Sequence, residues 1–456
     1  MPHGCLNRWL WGFLYTYLFY CTFKQNTIMA TLLKDLPELV ENNVISPQTA
    51  TDIERYYAAR VNPQTNIMLT IFGVLGGILA GLGIILIFAH NWDNFSKTIK
   101  TGLAVLPLFI AQALAGYSIL KNKSSVWKET AATLLFFAVG ASISLVAQIY
   151  NISGDFPAFL TTWILLCLPL VYLLNSNAAA ILLLVFSTWY SAVAGYSLWE
   201  RPYWYLLFIA ALLPFYIGHL KTGKNSNLAV VLNWLMPLSL LIAFGAFLKG
   251  ADGFVVVMYM AFLCLMYNVG SLPFFANLKK QTGYLAFGEL GIIIVLLMVS
   301  AQYMWLEITG NMQYGIYAVQ SHFIIIWAVL LLISAILMFR YKSATFSSLK
   351  WATFLFPVLY FIAMVNVPLA TILTNLVILA FGILTIRNGI NKLHFRTLNF
   401  GILVLAVLTT IRFFDTNISF AIRGSLFLIV GIGFFAANYI VIKKKKEQPD
   451  THTHEN

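Results

Sequence analysis

The ionisable residues that fall inside apolar stretches are the ones whose types and spacing point to chemistry. Glu289 lies in Gly288-Glu289-Leu290-Gly291, five residues into a stretch that enters from the more basic side of the chain. At the helical rise that is about 8 Å along an axis. Holding a charge in hydrocarbon costs at least about 2.5 kcal/mol unless it is paired or meets water. A carboxylate there therefore suits proton or ion coupling, or else sits within reach of water. Gln302 and Asn399 are expected to join Glu289 as buried polar groups or as the lining of a substrate path. Amides facing lipid would be costly, so these and Gln112, Gln148, Asn233, Asn268 and Asn375 should either line a path or bridge helices. Arg412 and Asp415 are spaced i,i+3 and Arg423 enters the next stretch from the same side. Two guanidinium groups flanking a carboxylate suit an anionic headgroup or phosphate. The same three residues would equally make a salt-bridged turn between the last two helices.

Other chemistries lack their residues. The chain has no GK[ST] phosphate loop, no HExxH and no GxSxG. Its four cysteines, Cys5, Cys21, Cys167 and Cys264, are dispersed, and His90 has no second histidine or cysteine at ligand spacing. No cofactor or metal is therefore expected, and an enzyme is disfavoured.

The elements that must position these residues are membrane helices. Sixty per cent of the 456 residues are hydrophobic and 10% charged, with a mean hydropathy of +0.82, more apolar surface than a soluble domain can hide. Stretches long enough to cross the hydrocarbon fall near 67–89, 99–120, 131–150, 157–174, 178–198, 203–220 and 228–248. Seven more lie near 253–272, 284–305, 321–339, 349–365, 368–386, 397–414 and 418–442. The expected fold is all-α: a polytopic transmembrane helical bundle of about 14 spans with a small N-terminal cytoplasmic helical hairpin. The tight connections at Asn175-Ser176-Asn177 and Asn366-Val367 could each be a re-entrant bend.

Charge orients the bundle. Lys121, Lys123, Lys128, Lys221, Lys224, Lys279, Lys280, Arg340, Lys342, Lys350, Arg387, Lys392 and Arg396 fall on alternate loops, and Lys443 to Lys446 open the tail. The positive-inside rule then puts both Lys34 and the tail in the cytoplasm. It also accounts for the net charge of +12, because a basic balance spread over inner loops meets anionic lipid headgroups rather than nucleic acid.

Four segments result. Residues 1–29 form an uncertain extension or weak anchor, with an apolar run from Trp9 to Phe23 and a more natural beginning at Met29. Residues 30–66 hold the hairpin, in which Ser46-Pro47 offers an N-cap followed by proline at the first helical position. It reads either as a dock for a cytoplasmic protein at 30–60 or as a cap packed on the inner loops. The bundle occupies 67–442, and a basic then polar tail occupies 443–456. In the first span Gly73, Gly77 and Gly81 recur every four residues, leaving a face on which another helix can pack closely.

Val44-Ile45-Ser46-Pro47-Gln48, then Ile87-Phe88-Ala89-His90-Asn91-Trp92-Asp93, and late in the chain Arg412-Phe413-Phe414-Asp415, Arg423 and Gly431 form an ordered set. Together they resemble the bacterial predicted membrane protein family "domain of unknown function 2157", best over 30–120 and 397–442. The resemblance implies a multi-pass protein of the bacterial inner membrane whose family has no assigned activity, substrate or cofactor. Three function classes fit, in this order: a secondary transporter or lipid-linked flippase, a non-catalytic scaffold or sensor recruiting a partner through residues 30–60, and an intramembrane enzyme acting on a lipid.

Overall fold

The computed structural model describes residues 92–222, 226–276, 282–310, 321–340, 348–392 and 394–413, with Leu36, residues 39–42 and 44–60, and scattered positions between 421 and 439. The span expected at 67–89, the extension 1–29 and the tail 443–456 lie outside the described residues, and the span expected at 418–442 is described only at those scattered positions.

The chain divides into two units, residues 1–96 and 97–456. In the first, a helical turn ends where Val44 N–H donates to the Leu39 carbonyl at 2.9 Å. The chain re-enters helix at α1, Pro47–Arg60. Ser46 caps it, its Oγ accepting from Thr49 N–H at 3.1 Å, while Pro47 occupies the position whose missing N–H needs no partner.

In the second unit every element with regular structure among the described residues is helical. The helices are α2 (Lys97–Leu120), α3 (Ser125–Tyr150), α4 (Phe156–Leu173), α5 (Asn177–Ala192), α6 (Tyr203–Thr222) and α7 (Asn227–Phe247). After them come α8 (Val255–Gly270), α9 (Gly283–Val299), α10 (Gln302–Gly310), α11 (Ser321–Arg340), α12 (Ala352–Val365), α13 (Val367–Asn391) and α14 (Phe395–Phe413). Polar punctuation sets their ends. Asp155, Ser176, Ser226 and Asn366 each accept a backbone N–H three residues on, at 2.6, 3.2, 3.2 and 3.0 Å. Asn122, Asn151 and Asn175 turn the chain out of helices with φ of 45°, 50° and 49°, the left-handed conformation that asparagine tolerates. A π-helical turn, Val193–Ser197, extends α5.

Among the described residues nine helices are long and apolar enough to cross a membrane. A tenth is counted if α9 and α10, bent by 92°, make one broken span. The chain is thus an all-α polytopic bundle. The expected spans at 253–272 and 349–365 prove to be shorter apolar helices, and the span at 284–305 is broken between Val299 and Gln302.

Two hydrophobic cores organise the bundle. One is filled from α2 to α7 by Phe136, Leu160, Ile164, Phe208 and Leu212. The other is filled from α8 to α14 by Val257, Ile292, Trp305, Phe356 and Leu408. The two lobes meet where α9 packs on α7. Within the second, α8 and α9 touch backbone to backbone: a Cβ on Gly288 would lie 2.6 Å from the Tyr267 nitrogen, and one on Gly270 would strike the Leu285 backbone. Small residues at such crossings supply the van der Waals contact that holds helices together in lipid.

Candidate functional site

The break between α9 and α10 gathers more polar groups from distant parts of the sequence than the sequence suggests. Ser300, fully buried, ends α9 and turns its hydroxyl back to the Leu297 carbonyl at 2.6 Å. Its own carbonyl has lost its helical donor to the bend. Arg412 Nη2 from α14 donates to that oxygen at 2.9 Å, and Asn375 Nδ2 from α13 donates to it at 3.0 Å. The same amide nitrogen reaches the Thr371 carbonyl at 2.7 Å. A guanidinium at the C-terminal end of a helix also offsets the partial negative charge there. Arg412 is therefore drawn to the end of α9, 112 residues away in sequence. Asp415 and Arg423, expected to cluster with it, lie outside the described residues, as do Gly73, Gly77 and Gly81.

Beyond the bend, Trp305 anchors α10, fully buried and stacked on Phe356 of α12 with ring centroids 5.9 Å apart. Its indole N–H and the Asn375 Oδ1 are buried polar atoms without a hydrogen-bond partner, a condition most buried polar atoms avoid. One donor and one acceptor are thus left open on the elements that hold the break.

Glu289 is half-buried on the same helix, eleven residues before Ser300 and so about 16 Å from it along the axis. Arg396, at the start of α14, is the cation near enough to act on it. One helix, α14, therefore brings an arginine towards each end of α9.

The other two expected path residues do not join Glu289. Gln302 is exposed as the first residue of α10, because the bend carries it out of the line of α9. Asn399 is exposed on α14, whose inward face is set by Leu398 and Ile402, 0% and 5% exposed; Asn399 lies about 100° round the helix from Leu398.

Five polar clusters and pairs escaped the sequence because their members are far apart along it. Asn268 of α8 donates to Ser334 Oγ of α11 at 2.8 Å and to Thr353 Oγ1 of α12 at 3.3 Å, all three buried. Thr188, Ser239 and Tyr205 link α5, α7 and α6 through hydroxyl contacts of 2.6 and 2.8 Å. Tyr216 donates to Asn233 Oδ1 at 2.6 Å. Glu129 of α3 accepts at the N-terminus of α5 from the Ser176 hydroxyl and from the Asn177 and Ala178 N–H groups, at 2.5, 2.8 and 2.9 Å. Arg201 and His322 meet at 3.3 Å and tie the loop after α5 to the start of α11. Periodicity carries no signal for such pairings.

Among the described residues no group of three or more histidine, cysteine, aspartate or glutamate side chains could hold a metal ion. Cys167 and Cys264 are free thiols, each buried in one of the two cores.

Residues 37–180 match the family described as "Predicted membrane protein (DUF2157)". No curated protein matched the chain, and no solved structure did so.

Proposed function

We propose that this membrane protein is a secondary transporter, or a flippase for a lipid-linked solute, in which the broken α9–α10 span is the working element. The observation that supports this reading is the end of α9 at Ser300, held by an arginine and an amide from two other helices. Discontinuous helices place unpaired backbone groups and half-helix termini inside a membrane protein, and irregular backbone is tolerated there only where protein buries it or it lines a cavity. The open Trp305 indole N–H and Asn375 Oδ1 fit a polar solute or water at this place. Two lobes with separate cores fit a bundle in which one lobe rocks against the other, the broken span lying within the second. Glu289 with Arg396 is then a candidate coupling pair, and the more basic loops, the hairpin and the tail face the cytoplasm of a bacterial cell.

A second reading, a scaffold or sensor that recruits a partner through residues 30–60, is favoured by one observation. The hydroxyls of Thr188, Ser239 and Tyr205 bond one another within the protein, as in a sealed interior.

Membrane-impermeant thiol labelling separates the two. In a cysteine-free background, Ser300→Cys and Glu289→Cys are treated from each side of the membrane. Transport requires that Ser300→Cys react from both sides. Protection of both positions from both sides would remove the transport reading and leave the scaffold.

A further inference from the structure

A cleft of about 570 Å³ opens on the outside of the bundle where the two lobes meet. Its walls come from the π-helical turn after α5 and from α7, α8 and α9, through Tyr196, Ile242, Tyr259, Leu263, Leu290 and Ile294. Three of these, Tyr196, Leu290 and Ile294, are 51%, 48% and 62% exposed, so the cleft opens to its surroundings. Helices long and apolar enough to cross a membrane carry two of its walls, so in a bilayer the cleft would face hydrocarbon. Its two phenols make no polar demand on an occupant. Tyr196 donates to the Ile242 carbonyl at 2.7 Å, and Tyr259 faces the Leu241 carbonyl at 3.4 Å. Both hydroxyls crowd the place that a side chain on Gly245 would take. The glycine thus leaves room for both hydroxyls against α7.

One turn beyond Tyr196 the chemistry changes. Lys249, just past the end of α7, donates to the Trp199 carbonyl, and its ammonium lies 5.7 Å from the centre of the Trp199 ring. Trp199 is 63% exposed and its φ is 59°. A bulky residue seldom adopts the left-handed region, and such strain persists only where surrounding contacts hold it. An ammonium has three protons, and the carbonyl engages one of them. Tryptophan and lysine together at the end of a span are the usual anchors at headgroup depth.

We infer that this cleft is a binding site for a single membrane phospholipid with an anionic headgroup, one hydrocarbon tail lying between Tyr196, Tyr259 and Ile294 and the phosphate at Lys249 and Trp199. The tail is selected by van der Waals contact with the walls, since lipid is already apolar and supplies no hydrophobic drive. The lysine supplies the charge preference. The site stands independently of transport, because it needs only a bundle in a bilayer.

The test uses the full-length protein in phosphatidylcholine nanodiscs containing a few per cent of phosphatidylglycerol with a photoreactive group in its acyl chain, with cross-linked peptides mapped by mass spectrometry. Labels are expected to concentrate on the cleft-facing parts of α7, α8 and α9. Unlabelled phosphatidylglycerol should displace them about five-fold better than phosphatidylcholine, the fold-change that corresponds to about 1 kcal/mol for one lysine near an anionic lipid. Ile294→Trp, which fills the cleft from an exposed position without touching the α8–α9 contact, should remove those labels while labels elsewhere persist. Lys249→Gln should keep the labels and abolish the headgroup preference.

Even labelling around the bundle, or cleft labels that survive Ile294→Trp, would overturn the site. A headgroup preference unchanged in Lys249→Gln would overturn the assignment of the phosphate. Disulfide capture of Leu290→Cys by another segment of this chain or by a second copy would show a protein occupant and overturn it as well.

Discussion

Glu129 holds the start of α5 from a different helix. Its two oxygens accept from two backbone N–H groups and a serine hydroxyl, and a carboxylate there also meets the positive end of the helix dipole. Replacing it with alanine leaves N-terminal donors of α5 without their partner. Glu129→Ala is expected to destabilise the protein by about 1–2 kcal/mol, read as a lower unfolding midpoint in detergent. Glu129→Gln, which keeps the acceptor and loses the charge, should lose about half as much. Asn268 is the corresponding residue of the second lobe, but neutral. Asn268→Ala should cost about 1 kcal/mol, within the range of interhelical hydrogen bonds in membranes. Once it is made, Ser334→Ala should add little, and a double-mutant cycle measures that coupling.

At the level of elements, the bend after α9 depends on groups outside it. Nothing in Ser300-Ala301-Gln302 forbids helix; there is no proline or glycine at the joint. Arg412→Gln withdraws the charged donor from the Ser300 carbonyl, and a hydrogen bond to a charged group contributes about 1.5–3 kcal/mol. A loss of that size in unfolding free energy is expected, together with faster hydrogen exchange in α10. An exchange rate in α10 unchanged by the substitution would mean that Asn375 and Trp305 hold the joint without Arg412. The α8–α9 crossing makes a second case. Gly288→Leu must push two backbones apart and should cost about 1–3 kcal/mol or more, as overpacking does. Hydropathy made the helices legible because a span is a local property of about twenty consecutive residues. It could not show the break, since the composition of 284–305 is apolar throughout while the bend comes from Arg412 and Asn375. The same limit explains Asn399: the sequence marked it as polar in a span, but which face of α14 is buried was decided by Leu398 packing beside Gly389. Glu289 was legible as an ionisable group within an apolar stretch; its relation to Arg396 was not, because the two are brought together only by the fold.

On the scale of the molecule, the two cores are filled by different helices and joined mainly through α7 and α9. Regions with separate cores open separately when the contacts between them are fewer than those within. Each holds one buried free thiol, Cys167 in the first and Cys264 in the second. Graded denaturation with thiol labelling and peptide mapping should therefore release the two cysteines at different denaturant concentrations. A single shared transition would show that the α7–α9 contact makes one cooperative unit. The separate cores give the molecule a physical boundary near residue 248.

Asn366 has a further consequence. It is the end of α12 and at the same time the cap of α13, its side chain accepting from Leu369 N–H, so no spare chain lies between the two helices. One residue inserted after Val365 turns whatever follows by about 100° about the axis of α13 and swings the Asn375 amide away from Ser300. The same insertion among Ile152, Ser153 and Gly154, between α3 and α4, has loop to absorb it. Tolerance of this protein to changes in length is thus uneven. Natural or engineered additions should be accepted at the end of α3 and refused at the α12–α13 joint, even though both look like ordinary turns between membrane helices.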